Sequence, residues 1–226
     1  MSIRHPFESD QARLQLLYRL PLTYPSGRLL VMGQASQVRA VGWSSEVCEI
    51  GLAPTLTGQL EEFDKACYAA IAIPGVLGAF ENRVGANSTP NFLAGLTERL
   101  APGGWVIGHM NHGLYLGGLA QPTLWLKFLA AVIDNKRPNS PRRLKLLLQT
   151  AGLVDVECYY VQPSIESPMA LIPCVRAVSD TYFMRCASSA RSSHAAHAYW
   201  GRKIALKLGL GGCLRSSIFF WGRRPC

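Results

Sequence analysis

The stretch Asn91-FLAGLTERLAPGGWVIG-His109 decides how this chain folds. Phe92, Leu93, Leu96 and Leu100 recur at intervals of three and four, which puts them on one face of a helix over 91–100. Ala-Pro-Gly-Gly (101–104) cannot continue a helix, and the apolar run from Trp105 to His109 that follows predicts a strand. A helix that passes through a tight turn into a short apolar strand is half of the unit from which parallel sheets are built.

The rest of the chain extends this rhythm in both directions. Upstream, a helix is predicted at 10–20 (Leu14, Leu17, Tyr18, closed by Pro21), then a strand at 28–32, a short helix at 34–41 and a strand at 46–51. Residues 52–60 read as irregular, and 65–73 as a continuous apolar run of the kind that a buried parallel strand shows. Downstream come an apolar helix at 122–133, a helix opened by Pro141 with Gly152 at its C-cap, and a strand at 155–161. A helix near 190–208 precedes a last strand at 216–222, apolar on both faces and therefore expected inside a sheet. The alternation predicts one α/β domain: a core of 28–161 plus 216–222, with 162–215 as an inserted cover segment. The two late strands suggest an antiparallel pair at one edge.

Bulk properties narrow the function. Of 226 residues, 49% are apolar and 16% charged, so a continuous core is expected. No window reaches the roughly 18 uncharged apolar residues of a membrane span. The first residues, MSIRHPFESDQARLQ, hold charges and no apolar run, so no secretory signal is expected there and a cytoplasmic location is the default. Seven scattered cysteines without a CxxC pair give no metal-ligand spacing, and zinc is not expected. The net charge of +9 is concentrated: 181–226 holds eight basic residues and no acid.

The stretches 91–109, 142–161 (RRLKLLLQTAGLVDVECYYV) and 61–77 (EEFDKACYAAIAIPGVL) together resemble class I S-adenosylmethionine-dependent methyltransferases. They are similar to that family's fifth strand with its preceding helix, its sixth strand with its preceding helix, and its fourth strand. The resemblance implies a Rossmann-like fold: a mostly parallel sheet with an antiparallel final strand and helices on both faces. It also implies S-adenosylmethionine as cofactor, held after the first strand at Met32, Gly33, Gln34 and Ala35, after the second at Gly51, and at the end of the fourth at Ala72 and Pro74. The chain departs from the family here. The turn after the first strand keeps one glycine, Gly33, and lacks the preceding acid, and each absent glycine sets a Cβ where the ligand comes close. Gly51 stands where the family has its ribose-binding acid; Glu49 is two residues earlier, about 6.6 Å back along the strand.

His109 and His112 follow the strand matched to the fifth, on the side where open α/β sheets bind ligands. Either could take a proton from an acceptor hydroxyl; as loop histidines bonded to backbone they would do no chemistry. Asp64 reads as the polar start of a strand, and Trp105 and Trp125 as core. The Tyr159–Pro173 stretch is expected to cross the mouth of the crevice. Two functions follow: a methyltransferase acting on a small-molecule or lipid- or glycan-linked acceptor, or a methyltransferase-fold scaffold that has lost the cofactor. The expected partners are a small-molecule substrate or an acidic protein; the basic C-terminal segment could touch an anionic membrane. Nucleic acid is not expected, because no stacking residues interleave with the basic ones.

Overall fold

The computed structural model describes residues 27–32, 45–48, 60–77, 88–111, 140–163, 165, 168–188 and 217–226. The helices predicted at 10–20, 34–41, 122–133 and 190–208 lie outside them. The described elements run β1 (Arg28–Met32), β2 (Ser45–Cys48), β3 (Tyr68–Pro74), α1 (Thr89–Arg99), β4 (Leu100–Asn111), α2 (Pro141–Thr150), β5 (Val154–Pro163), β6 (Pro168–Pro173), α3 (Arg176–Ser188) and β7 (Ser217–Arg223). They form a seven-stranded sheet in the order β2-β1-β3-β4-β7-β5-β6. β1, β2, β3 and β4 are mutually parallel; β7 runs antiparallel to β4 and β5, and β6 antiparallel to β5. The architecture is the Rossmann-like α/β sheet that the sequence implies.

Alternation along the strands sorts the apolar residues into two clusters. Leu30, Met32, Ile71, Ile73, Val106, Met110 and Phe220 point to one face, where Phe92, Leu93 and Leu96 of α1 and Leu144 and Leu148 of α2 cover them. Tyr182 of α3 packs on the same cluster. Leu29, Val31, Ala70, Ala72, Ile107 and Phe219 form the cluster of the opposite face. Each wholly buried Leu, Ile or Phe contributes about 1.5–3 kcal/mol, so these clusters hold the sheet together.

Several boundaries differ from the sequence reading, for identifiable reasons. The apolar run at 65–73 enters the sheet only at Tyr68. Ala66 adopts a left-handed φ of 57°, and the amides of Ala66 and Cys67 donate to the carbonyls of Glu98 and Arg99 at the end of α1. Ala-Pro-Gly-Gly ends α1, as expected, but it lies within β4: Leu100 already pairs with Tyr68, and the pairing jumps to Ala70 with Trp105. Gly104 is required there, since a Cβ would lie 2.9 Å from the carbonyl oxygens of Ala101 and Tyr68. Helix α2 ends with Ala151 as its cap, and the left-handed residue is the next one, Gly152.

The larger correction concerns 159–173. Rather than crossing the crevice, this stretch makes an antiparallel hairpin, with Tyr159 opposite Pro173 and Val161 opposite Leu171, that extends the sheet edge beyond β5. Part of the expected cover segment is therefore sheet. β7 lies between β4 and β5, inside the sheet as its two apolar faces imply, with Ile218, Phe219 and Phe220 fully buried.

The close approach of β7 to β4 yields a test. A Cβ on Gly108 would lie 2.6 Å from Phe220 Cζ and 2.7 Å from Ile73 Cγ1, so Gly108→Ala should lower stability by about 1–3 kcal/mol through overpacking. Thermal denaturation measures it; an unchanged midpoint contradicts this packing. Removing 181–226 takes β7 out from between two strands, and the remaining chain should aggregate or lose cooperative unfolding.

Candidate functional site

In open parallel sheets the ligand crevice lies at the carboxyl ends of the strands. Here those ends are Met32 of β1, Pro74 of β3 and the His109–Asn111 end of β4. Pro74 and His109 are paired across β3 and β4, and the Gly75 amide donates to the His109 carbonyl at 3.1 Å. Gly75 turns the chain away from the sheet with φ +68°, and a Cβ there would stand 3.6 Å from His109 Nε2. The imidazole thus lies against the turn that follows β3, only 6% exposed. The absence of a side chain on Gly75 leaves bare backbone beside a single titratable ring.

The other implied site residues divide clearly. Met32 is wholly buried in the core cluster beneath α1 and α2, so its side chain is not a ligand contact. Ala72 is equally buried, in the cluster of the opposite face, and serves packing. Strand alternation turns these side chains into the two apolar layers, so a ligand would meet Met32 and Ala72 through their backbone. Pro74 is at the described crevice end. Gly33, Gln34, Ala35, Glu49, Gly51 and His112 lie outside the described residues. Gly75, at the crevice end of β3, was not singled out in the sequence, although the Pro74-Gly75 pair after an apolar run is a turn signal.

Two of the eight basic C-terminal residues have structural tasks. Arg223 pairs with Asp155 at 3.2 Å and lies over the Trp105 ring, 5.9 Å from its centroid. Arg224 donates from its guanidinium to the carbonyls of Leu100 and Glu98, and its amide donates to the Gly104 carbonyl at 2.8 Å. Asp64 is exposed and pairs with Arg28 at 3.2 Å, at the opposite end of β3 from His109. Trp105 is partly buried and packs against the second cluster. Among the described residues no cluster of three metal-binding side chains occurs, and no helix is long and apolar enough to cross a membrane.

No protein-family model matches the sequence, and no curated protein matches it. Solved structures do. A SAM-dependent methyltransferase from Archaeoglobus fulgidus superposes with a TM-score of 0.56 at 12% identity, over 98% of this chain and 96% of that one. Phosphoethanolamine N-methyltransferase 2 from Haemonchus contortus, in complex with phosphomonomethylethanolamine and S-adenosylhomocysteine, superposes with a TM-score of 0.51 at 14% identity, over 97% of this chain. This chain spans about half of that one, 53%. The fold is that of the class I S-adenosylmethionine-dependent methyltransferases.

The strained turn at the crevice can be probed directly. Gly75→Ala should cost roughly 1–2 kcal/mol, because an L side chain disfavours the left-handed region, and the open 3.6 Å spacing to His109 adds no clash. Asn tolerates that region better, so Gly75→Asn should recover part of the loss in a denaturant titration. Equal stability of all three proteins contradicts the assigned backbone.

Proposed function

We propose that this chain is an S-adenosylmethionine-dependent methyltransferase with an atypical cofactor turn, acting on an oxygen of a small-molecule or lipid- or glycan-linked acceptor. The observation that carries this reading is the placement of His109, at the carboxyl end of β4 and against the bare Gly75 turn. The described part of the crevice fits the cofactor: parallel β1, β3 and β4 end together, and the Gly75 turn offers backbone without a Cβ. When bound, S-adenosylmethionine supplies an electrophilic methyl group on a sulfonium sulfur.

This chain's own residues then have two tasks. The ends of β3 and β4 hold the acceptor in line with the methyl group, and such positioning alone lowers the barrier substantially. His109 accepts the proton that the acceptor hydroxyl loses as its oxygen–carbon bond forms. Burial among β3, β4 and Phe219 of β7 fixes the ring where that proton transfer would occur. His112, three residues on, is the alternative base. The scaffold reading draws on the sequence of the turn, where Ala35 and Ser36 replace glycines.

Calorimetric titration with S-adenosylmethionine and S-adenosylhomocysteine separates the two. The expected affinity is weaker than micromolar, less favourable than about −8 kcal/mol, because of the Cβ atoms in the turn and Gly51 in place of an acid. No binding at millimolar ligand would leave the scaffold as the function. With methyl-labelled cofactor and a hydroxyl acceptor, His109→Ala should lower turnover by about a hundredfold or more while leaving the circular dichroism spectrum unchanged. Wild-type turnover in that variant removes His109 from the chemistry.

A further inference from the structure

On the α1–α2 face of the sheet an open groove of about 580 Å³ runs between α2 and the link from β6 to α3. It belongs to β5 rather than to β1, β3 or β4. Two strand spacings separate β5 from β4, the nearest crevice strand in the sheet order, roughly 10 Å at about 4.8 Å each. The volume is in the range of small-molecule sites, about 300–1,000 Å³.

The lining has two chemical halves. β5 and the β6–α3 link contribute Val156, Cys158, Cys174 and Val175. The two cysteines are cross-strand neighbours, joined by the Cys174 amide donating to the Cys158 carbonyl at 3.0 Å, and neither is in a disulfide. Burial pushes the Cys158 thiol up to about 12, against a smaller opposing influence of Lys145, and raises the Cys174 thiol further. Both are therefore neutral at physiological pH and act as small apolar groups. Glu157, the one acid of the lining, accepts a hydrogen bond from the Tyr159 hydroxyl.

α2 contributes the other half. Arg142 and Lys145, three residues apart on one helix face, line the groove, and among the described residues neither has an ion-pair partner. Three other cations are paired with acids: Arg28 with Asp64, Lys65 with Glu98 and Arg223 with Asp155. Two unneutralised cations beside an apolar, thiol-lined surface are complementary to a molecule with an anionic head and an apolar body. The lip is apolar as well, with Val175 58% exposed.

We infer that the groove between α2, β5 and the β6–α3 link is a binding site for a small apolar molecule with an oxyanion head, which Arg142 and Lys145 hold while its apolar part lies on Val156, Cys158, Cys174 and Val175. The site is independent of the methyltransferase reading, since it shares no residue with the crevice. It bonds its ligand noncovalently, and the neutral thiols take no part in chemistry.

The probe is octyl phosphate, kept monomeric, titrated calorimetrically into the full chain beside 1-octanol, octyltrimethylammonium and inorganic phosphate. Saturable binding of octyl phosphate is expected, weakened by added salt, with octanol and inorganic phosphate at least about tenfold weaker and the ammonium compound not bound. The double substitution Arg142→Gln with Lys145→Gln should reduce affinity about tenfold, whereas Arg142→Lys with Lys145→Arg should retain it. Both pairs are at exposed positions, and circular dichroism checks that the fold is kept. Val175→Glu sets an acid at the lip and should also weaken binding. Octanol binding as tightly as octyl phosphate, indifference to the double glutamine substitution, or no saturable binding overturns the inference.

Discussion

The ring of Phe220 lies across the backbone of Gly108, and much of the sheet depends on that contact. Phe220 is paired directly with Gly108 across β7 and β4, and Ile73 of β3 reaches the same point from the other side. With any side chain at 108 the three strands could not keep this spacing. Phe220 also belongs to the cluster that α1 and α2 cover, so one ring joins the middle of the sheet to its helical layer. Next to it in the sequence, His109 is paired with Phe219 and Pro74. The packing that fixes β4 thus also fixes the imidazole at the crevice.

A second restraint acts at the other end of β4. Ala-Pro-Gly-Gly bulges out of the β3–β4 pairing, and Arg224 closes over it: its amide bonds Gly104, its carbonyl receives the Gly103 amide, and its guanidinium reaches the last carbonyls of α1. Arg99, 5% exposed, returns from the end of α1 to the Leu60 and Gly95 carbonyls. These bonds satisfy carbonyls that a helix end would otherwise leave without partners. Of the basic residues in 181–226, Arg224 thus completes backbone bonding inside the fold.

The fold was legible in the sequence where period and turn chemistry agreed. The helix faces of Phe92, Leu93 and Leu96, Pro141 at a helix start, and the two-faced apolar strand at Ile218–Phe220 each have one physical reading. Legibility failed where backbone bonding overrode composition. The start of the run at 65–73 is claimed by carbonyls of α1, and the proline-bounded stretch at 168–173, expected to cross the crevice, pairs with β5. His109 was singled out as the end of an apolar run, and the structure has it inside β4, paired with Pro74 and Phe219. For Met32 and Ala72, family position names a place on the backbone, whereas strand alternation decides where the side chain points, and both side chains lie in the apolar layers. Gly75 could have been found from its Pro-Gly dipeptide alone.

The interior position of β7 sets an order on synthesis. It is the last strand of this sheet in sequence order, yet it must enter between β4, about a hundred residues earlier, and β5, with pairs such as Gly108–Phe220 and Cys158–Phe220. Contacts of such sequence separation form slowly. Until residues 217–223 have left the ribosome, β4 and β5 both present unpaired edges, and the β5–β6 hairpin has no sheet to join. Between the synthesis of β4 and that of β7 the nascent chain therefore exposes strand edges, and this interval is its aggregation hazard.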